Sequence, residues 1–476
     1  MNDLHYPWIE IAILLPLLGA AWVSRIREPA RAQRHALFFL ALAFLATAAE
    51  VRDFYSLKTF HAQDAWHLMS KVFGRELFTI DELSAPLVPM TTLIYLLTAL
   101  ATLRTKLPRF SFTSMLIQES LTLALFSAVD PWVIIVLMGL TTLPAYLEMR
   151  SRHGGARLYA IAMVASCLLM ALGWMFVAAE GEKTHTLWAL LPLLLAVSIR
   201  SGVFPFHLWI ANLFEHATFG TALLMTTPLT GAYAALRLVL PVSPDWVLSY
   251  LGLGSLFTAV YASGLCLIQK DVRRLFACMM ISHSMMVLIG LEVVTPIGLT
   301  GALCVWLAAG MSLGGFGLTL RALEARRGRL TLDRYQGLYE HAPGLAVCFL
   351  LTGLACVGFP GTIGFIGTEM LIDGAVKAFP HVGPLLVIAA TFNGIAILRA
   401  YFLLFTGTRY ESSVSLGMGG RERIAVLTLA ALILGGGLFP QRGVSTAYHA
   451  ASELLKSRQH EPAIAPGSLP DHGVHP

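Results

Sequence analysis

Residues 198–237 read SIRSGVFPFHLWIANLFEHATFGTALLMTTPLTGAYAALR. An apolar run ends here on a cation, Arg200, which is followed by a glycine, Pro205 and a histidine-bearing connection. A second apolar run comes next, and Pro228 interrupts it. A charge or a helix breaker at membrane depth costs free energy in lipid, so it usually faces a protein interior or a water-filled path. The stretch therefore predicts a membrane protein with a polar route through it.

The composition is that of a membrane-spanning chain. Of the 476 residues, 56% are hydrophobic and 13% are charged, whereas a soluble domain carries about 25% charged residues. Long apolar runs recur along the whole chain, so we predict an all-α, polytopic protein of the lipid bilayer. The basic residues occur in short loops between these runs, as orientation signals do, and we expect no nucleic-acid partner.

No recognisable site for a cofactor or a metal occurs in the sequence. None of the six cysteines forms a CxxC pair, and P-loop, Rossmann glycine and HExxH motifs are missing. We therefore expect neither a cofactor, nor a metal, nor a catalytic site in this chain itself. Any redox chemistry would have to take place on another subunit.

About fourteen apolar runs have the length of ~20 residues that a bilayer requires. A run broken at Pro205 recurs five runs later as one broken at Pro360 and Gly361. Paired interrupted helices are typical of transporters built from inverted repeats. The first loop holds four arginines and usually decides orientation. We therefore predict that this loop is cytoplasmic and that the N- and C-termini lie outside.

An acid and a base lie within the first half of the chain at membrane depth. Glu119 falls inside the fourth apolar run, and Arg200 closes the seventh. An intramembrane acid is costly unless it is paired or protonated, and Arg200 is its obvious partner. The two could form a static ion pair that fixes helix packing, or they could gate the passage of an ion.

Three histidines could carry protons. His207 and His216 follow the break at Pro205, and His283 lies in the motif ISHS within the tenth run. Histidine titrates near physiological pH and can relay protons. The first two could equally cap a connection between half-helices, and His283 could simply bond to a backbone carbonyl.

A string of charges follows the second break. Glu369 and Asp373 lie one helical turn apart, and Arg399 falls in the next apolar run. The string could line the exit of a half-channel, or it could be a charged cluster at the membrane interface.

Four segments resemble the antiporter-like membrane subunits of respiratory complex I, Mrp antiporters, membrane-bound hydrogenases and DAB inorganic-carbon transporters, in which the subunit is DabB. They are FTIDELSAP (78–86), FPFHLW with FEHATFGTALL (204–224), QKDVRRLFACMMISHSM (269–285) and GFPGTIGFIGTEML (358–371). The third match is the most specific. Together the segments run from residue 78 to residue 371 in the family's order.

This resemblance implies fourteen helices, two five-helix inverted repeats with broken helices seven and twelve, and a central chain of protonatable residues. Glu119, His283 and Glu369 match positions of that chain, whereas the family's seventh-span lysine falls on Arg200 and its fifth-span glutamate on Gly139. A buried lysine can release its proton, but arginine stays charged in proteins. We therefore expect Arg200 to be a fixed counter-charge. The implied division is an N-terminal three-helix segment (1–110), a first inverted repeat (111–240), a second (241–408), a C-terminal helix (409–456) and a disordered tail (457–476).

Three functions stay open. Proton or cation flow could energise a partner subunit, and a DabB-like pairing with a large zinc-containing DabA-like protein fits best. Alternatively, the chain could be a proton-pumping subunit of a complex I-like NADH:quinone oxidoreductase or a membrane-bound hydrogenase, with a redox module and other membrane subunits as partners. It could also be a structural anchor without ion flux. We expect a bacterial-type cytoplasmic (inner) membrane and at least one partner subunit.

Overall fold

A computed structural model describes residues 2–67, 71, 77–152, 154–181, 185–376, 379–407 and 417–459. Within these residues the chain is a bundle of helices with one small sheet. The helices are α1 Trp8–Val23, α2 Pro29–Leu57, α3 Ser84–Leu100, α4 Phe112–Ser127, α5 Pro131–Leu140, α6 Leu143–Ser151, α7 Ala156–Glu180, α8 Leu187–Ser201, α9 Leu208–His216, α10 Phe219–Thr226, α11 Thr230–Ala234, α12 Asp245–Ile268, α13 Val272–Val293, α14 Pro296–Arg327, α15 Pro343–Cys356, α16 Ile363–Ala375, α17 Val382–Phe405, α18 Gly420–Leu438 and α19 Gln441–Gln459.

Three short strands and two tight helical turns complete the described chain. Strand β2 (His61–Gln63) pairs in parallel with β1 (Asn2–Asp3) and antiparallel with β3 (Ile80–Asp81). A 3₁₀ turn, Arg104–Arg109, precedes α4, and a π-helical turn, Ala235–Val239, continues α11. The sheet was not anticipated from the sequence, because strands of two or three residues carry no readable alternation.

The prediction of an all-α, polytopic membrane protein is confirmed at the level of fold class. Seven candidate spans in the described chain, or eight if α18 and α19 form one bent span, are long and apolar enough to cross a bilayer. Two of the seven are composites, α5 with α6 and α10 with α11 and the π-helical turn. Helices α1, α3, α8 and α15 are apolar but shorter. Two of these are halves of broken spans. The count of fourteen spans and the repeat boundaries stay predictions.

Both breaks begin at a glycine with a positive φ angle. Gly202 ends α8 with φ +79°, and Gly358 follows α15 with φ +77°. A residue with a side chain rarely adopts this conformation, so glycine allows the helix to stop and the chain to turn there. A proline follows each glycine within three residues, Pro205 in one break and Pro360 in the other. The two interruptions thus have related local causes.

Basic loops gather at one end of the bundle, which we call the arginine-rich end. Hydrogen bonds join the helix termini there, from Gln33 to the Ala99 carbonyl, from Arg321 to Thr102 and from Arg152 to the Arg109 carbonyl. Further bonds tie in the later helices. They run from Arg273 to the Phe214 carbonyl and Glu324, and from Arg326 to Glu422.

The opposite end, which we call the sheet end, holds β1–β3 and the C-terminal helix α19. A single C-terminal helix was predicted between residues 409 and 456, but two helices, α18 and α19, meet there at 79°. Pro440 follows α18 and lacks the N–H that would continue it, which explains the bend. Helix α19 runs to Gln459, three residues into the predicted tail. The rest of that tail, 460–476, lies outside the described residues.

Candidate functional site

Arg200 is held at the end of α8 by neutral groups. It is 4% exposed. Its Nη2 donates to Thr141 Oγ1 (3.0 Å) and Thr230 Oγ1 (3.2 Å), and its Nη1 lies 3.0 Å from Met163 Sδ. Thr141 ends α5 and Thr230 begins α11, so both threonines lie at helix interruptions. The guanidinium therefore bonds to the termini of two discontinuous helices.

The predicted ion pair between Glu119 and Arg200 is wrong. Glu119 lies in the middle of α4 with no exposed surface, and neither carboxylate oxygen has a hydrogen-bond partner among the described residues. The two residues lie on helices that present them to different neighbours, and sequence spacing does not encode that rotation. An uncompensated carboxylate is costly at this depth, so the arrangement favours a proton on Glu119.

A neutral amide links the two charged positions. Gln118, next to Glu119 on α4, donates from Nε2 to the Thr141 carbonyl at 3.0 Å. The hydroxyl of Thr141 then accepts from Arg200. Gln118, Thr141 and Arg200 therefore form a continuous hydrogen-bonded line from α4 to α8. This line was not found from the sequence, because neither polar neutral residue stands out in an apolar run.

A small cavity of about 30 Å³ adjoins Arg200. Hydroxyls of Ser201, Thr226, Thr230 and Ser284 belong to its lining, among apolar side chains of α9, α10 and α13. A cavity needs roughly 10–15 Å³ and several polar partners to hold a water molecule. The site meets both conditions. It therefore extends the polar line from α8 towards α13.

His283 lies on α13, one residue before the cavity-lining Ser284. It is 3% exposed, and its Nδ1 lies 2.8 Å from the Met279 carbonyl while its Nε2 lies 2.5 Å from the Cys356 carbonyl. Cys356 is the last residue of α15, at the second break. Only a doubly protonated ring can donate to both carbonyls, whereas a neutral ring can donate to one. The position can thus gain or lose a proton with a change in its bonds to the broken helix.

A buried amide bonds to the residue that precedes His283. Asn393 on α17 is fully buried and donates from Nδ2 to Ser282 Oγ at 3.0 Å. Ser282 in turn donates to the Ala259 carbonyl. We call the buried polar groups Glu119, Gln118, Arg200, His283 and Asn393 the central line. Among the described residues, hydrogen bonds join Gln118 and Arg200 through Thr141, and Asn393 to Ser282, but none joins Glu119 or His283 to the other members.

His207 and His216 lie at the two ends of the short helix α9. The ring of His207 stacks on Phe204 at 5.9 Å and meets Tyr261 edge-on, and its Nδ1 has no hydrogen-bond partner among the described residues. His216 Nδ1 lies 3.0 Å from the Asn212 carbonyl, one turn earlier. Neither ring hydrogen-bonds to Arg200. Pro205 lies in the connection just before α9.

Pro228 lies between α10 and α11, where Leu229 adopts φ +52°. The Pro228 carbonyl, freed from the helix ladder, accepts from Trp306 Nε1 at 3.1 Å. This break sets Thr230 at a helix start, beside Arg200. It is therefore the interruption that shapes the cationic centre.

The charges after the second break do not join the central line. Pro360 and Gly361 lie in the connection between α15 and α16. Glu369 and Asp373, on α16, are both exposed at the surface of the subunit. Arg399 donates from Nη1 to the Gln269 carbonyl at 3.0 Å, near the arginine-rich end. The two interpretations of these three residues, a half-channel exit and an interfacial charge cluster, both stay predictions.

Several buried charges were missed from the sequence. Glu50 on α2 is 1% exposed, although the same reasoning that identified Glu119 applies to it. Arg237, in the π-helical turn, pairs with Asp81 of β3 at 2.6 Å. Asp81 falls within the quoted segment FTIDELSAP, which was a signal for its importance. No cluster of three or more His, Cys, Asp or Glu able to hold a metal occurs in the described part of the chain.

The chain matches the family model "NADH:quinone oxidoreductase/Mrp antiporter, TM" over residues 156–393, half of its length. It is 30% identical over 372 residues to NADH-quinone oxidoreductase subunit 13 of Thermus thermophilus, covering 71% of this chain and 78% of the relative. It is 29% identical over 279 residues to subunit M of Mycobacterium tuberculosis, covering 56% of this chain and 50% of that protein.

Solved structures give the same result at the level of fold. A chain of respiratory complex I from Thermus thermophilus superposes with a TM-score of 0.81 and 25% identity, covering 94% of this chain and 99% of that one. A chain of the Mrp complex from Dietzia sp. superposes with a TM-score of 0.82 at 19% identity, covering 94% and 97%. This protein therefore belongs to the family of transmembrane subunits shared by NADH:quinone oxidoreductases and Mrp antiporters.

Proposed function

We propose that this chain is a proton-translocating membrane subunit of a multi-subunit complex of the NADH:quinone oxidoreductase type. The observation that carries the proposal is the set of buried polar and ionisable groups that includes Glu119, Arg200, His283 and Asn393, together with an unpartnered carboxyl at Glu119. A static core would satisfy a buried carboxylate, whereas Glu119 has no hydrogen-bond partner in the described structure. Ionisable residues placed in this way mark proton pathways in pumps and transporters.

Each residue has a distinct role in this proposal. Glu119 and His283 exchange protons, because both titrate and both are buried on the line. Arg200 provides a fixed positive charge that favours a proton vacancy beside it, because a guanidinium does not release its proton in proteins. Water in the 30 Å³ cavity bridges the hydroxyls of Thr230 and Ser284.

The partners follow from the same reasoning. In this proposal the free energy that drives the protons comes from redox subunits of the complex. The relatives reported above are named as subunits of quinone oxidoreductases, and those solved structures are multi-subunit assemblies. A pairing with a zinc-containing, DabA-like protein in inorganic-carbon transport has no support in these comparisons.

We further propose the bacterial inner membrane as the location, with the arginine-rich end in the cytoplasm and both termini outside. The proposal rests on the positive-inside rule. Every basic loop whose contacts are described above lies at that one end. This gathering supports the orientation more strongly than the first loop does alone.

Affinity purification of the tagged chain in mild detergent, followed by mass spectrometry, tests the partners. Co-purification of iron–sulfur, quinone-site and other antiporter-like subunits is the expected result. A single large zinc protein would replace the proposal with inorganic-carbon transport. Recovery of the chain without any stable partner would favour a structural anchor.

Reconstitution of the purified complex tests the activity. Proteoliposomes supplied with electron donor and quinone should take up protons in proportion to electron transfer, and a protonophore should abolish the gradient but not the electron transfer. Electron transfer without proton uptake would contradict the proposed function.

A further inference from the structure

Glu50 is a buried carboxyl that the central line does not use. It lies on α2, about 10 Å from the end of that helix by rise per residue, and it is 1% exposed. Neither of its oxygens has a hydrogen-bond partner in the part of the chain that the structure describes. Such a group is costly unless it carries a proton or serves a function.

Polar side chains on α3 and α2 lie between Glu50 and Glu119, and one hydrogen bond joins the two helices within this set. The Tyr95 hydroxyl lies within electrostatic reach of the Glu119 carboxyl. Thr92 lies one turn from Tyr95 on α3, and its hydroxyl is 3.0 Å from that of Thr47 on α2. Thr47 and Glu50 are three residues apart and share a helix face. These five side chains are all essentially inaccessible to solvent.

Asp64 continues the connection to the sheet end. Its Oδ2 accepts from the Glu10 backbone N–H at 2.7 Å and caps the start of α1. Its Oδ1 has no hydrogen-bond partner among the described residues, and Glu50 lies within its electrostatic reach. Burial, and then the charge of Glu10, raise the pKa of Asp64 to about 7 against the opposing backbone bonds. The carboxylate can therefore accept a proton near neutral pH.

Among the described residues, no ion pair joins Asp64 to a cation. Helix α1 contributes Glu10 to the surroundings of Asp64. Asp53, one turn beyond Glu50 on α2, bonds to His5 at 2.5 Å and is not part of this group of acids. No ion pair to Glu50 occurs among the described residues. The surroundings are negative, so a proton is the ligand that they favour.

We propose that Glu50 is a proton-binding group in a branch of the pathway that leads from the central line to the sheet end. This inference rests on the proposed function and deepens it. In the outward step the O–H bond of protonated Glu50 breaks and its proton passes to the Asp64 carboxylate. Glu50, now anionic, regains a proton from the Glu119 side. The branch comprises Glu119, Tyr95, Thr92, Thr47, Glu50 and Asp64.

The test compares proton uptake per electron in proteoliposomes containing the whole complex. Glu50→Gln and Thr47→Val should each lower the ratio, because the first removes the proton site and the second removes one linking hydroxyl at nearly constant shape. Asp53→Asn is the matched control, since it neutralises an acid one turn away on the same helix. It should leave the ratio at the wild-type value.

The outcomes separate this inference from the proposed function. Wild-type uptake in Glu50→Gln, together with loss in Glu119→Gln, would overturn the branch alone. Wild-type uptake in both would overturn the proposed function as well. If Glu50→Gln fails to assemble, Thr47→Val decides, and wild-type uptake in that variant overturns the branch.

An infrared measurement on the complex tests whether Glu50 holds a proton. The carboxylic C=O band of a protonated, buried acid should lose intensity in Glu50→Gln relative to wild type. An unchanged spectrum would mean that Glu50 does not hold a proton, and it would overturn the assignment.

Discussion

Arg200 is bonded to two threonine hydroxyls and a methionine sulfur, and none of these partners carries a charge. A buried ion without a counter-ion is a cost to stability, which here is offset by hydrogen bonds at two helix interruptions. Its retention is best explained by function. A fixed cation on the proton line controls where a mobile positive charge can reside.

Replacing the charge of Arg200 should abolish proton uptake without lowering the stability of the complex. Arg200→Met removes the buried cation while keeping much of the side-chain volume. We expect an unchanged or higher melting temperature of the purified complex, together with loss of proton uptake. The measurements are thermal unfolding followed by tryptophan fluorescence and proton uptake in vesicles. A large fall in melting temperature would indicate that Arg200 is structural.

His283 gives a second prediction at the residue scale. His283→Leu leaves the Met279 and Cys356 carbonyls without their ring partner, and a lost buried hydrogen bond costs about 1–3 kcal/mol. We expect a lower melting temperature and loss of proton uptake. His283→Gln restores one donor, so it should recover stability but not transport. Transport in His283→Gln at the wild-type rate would exclude proton exchange at this position.

At the scale of secondary-structure elements, hydrogen bonds and one ion pair join the sheet end to the helices that carry the central line. Asp81 of β3 accepts from the Ser84 N–H at the start of α3 and pairs with Arg237 in the π-helical turn after α11. Arg237 also donates to Tyr233, whose hydroxyl bonds to the Phe126 and Ala128 carbonyls at the end of α4. The network therefore fixes α11, which carries Thr230, against α4, which carries Glu119.

Breaking this pair from one side should be costly. Removing one member of a buried ion pair typically destabilises by about 3–5 kcal/mol, because the other charge is left unpaired. We expect Arg237→Met and Asp81→Asn each to lower the melting temperature strongly. The double variant should be more stable than the sum of the two losses predicts. Additive losses would show that the two side chains do not interact.

The sheet end also predicts a pH dependence of stability. Burial raises the pKa of Asp64 to about 7, and burial followed by the charge of Asp81 raises the pKa of Glu82 to about 7. Between their ordinary value of about 4 and about 7, the folded state then binds more protons than the unfolded state. Stability contributed by these groups is present below that window and falls as pH rises through it.

We expect the purified complex to melt at a lower temperature at pH 8 than at pH 5.5. Asp64→Asn and Glu82→Gln should each flatten this dependence, because neither amide titrates. Differential scanning fluorimetry across the pH range provides the measurement. A melting temperature that rises with pH, or variants with the wild-type slope, would contradict the assignment.

At the scale of the whole molecule, the sequence predicts features with local causes but not contacts between distant helices. The breaks at Pro205 and Pro360 are readable because proline and glycine act locally, on their own backbone. Whether Glu119 and Arg200 are in contact could not be predicted from the sequence, because it depends on how two distant helices are rotated relative to each other. The exposure of Glu369 follows from the same rotation. Glu50 was readable as an intramembrane acid, and only its connection through Thr47 and Thr92 needed the structure.

The orientation of the molecule is a prediction at this scale. Gln441 is exposed at the sheet end, and Arg104 is exposed at the arginine-rich end. A membrane-impermeant thiol reagent applied to intact cells with a permeabilised outer membrane should label Gln441→Cys but not Arg104→Cys. The opposite labelling pattern would reverse the proposed orientation and the direction of the pathway.

Proton uptake per electron in the Glu119→Gln complex tests the central claim most directly. The variant keeps the size of the side chain but cannot hold a carboxylic proton. Glu453→Gln is the control, because Glu453 lies on α19, outside the central line, where it pairs with Lys456. The account predicts electron transfer with a strongly reduced uptake ratio in Glu119→Gln and a wild-type ratio in the control. A wild-type ratio in Glu119→Gln, with the variant fully assembled, would contradict proton movement along this line.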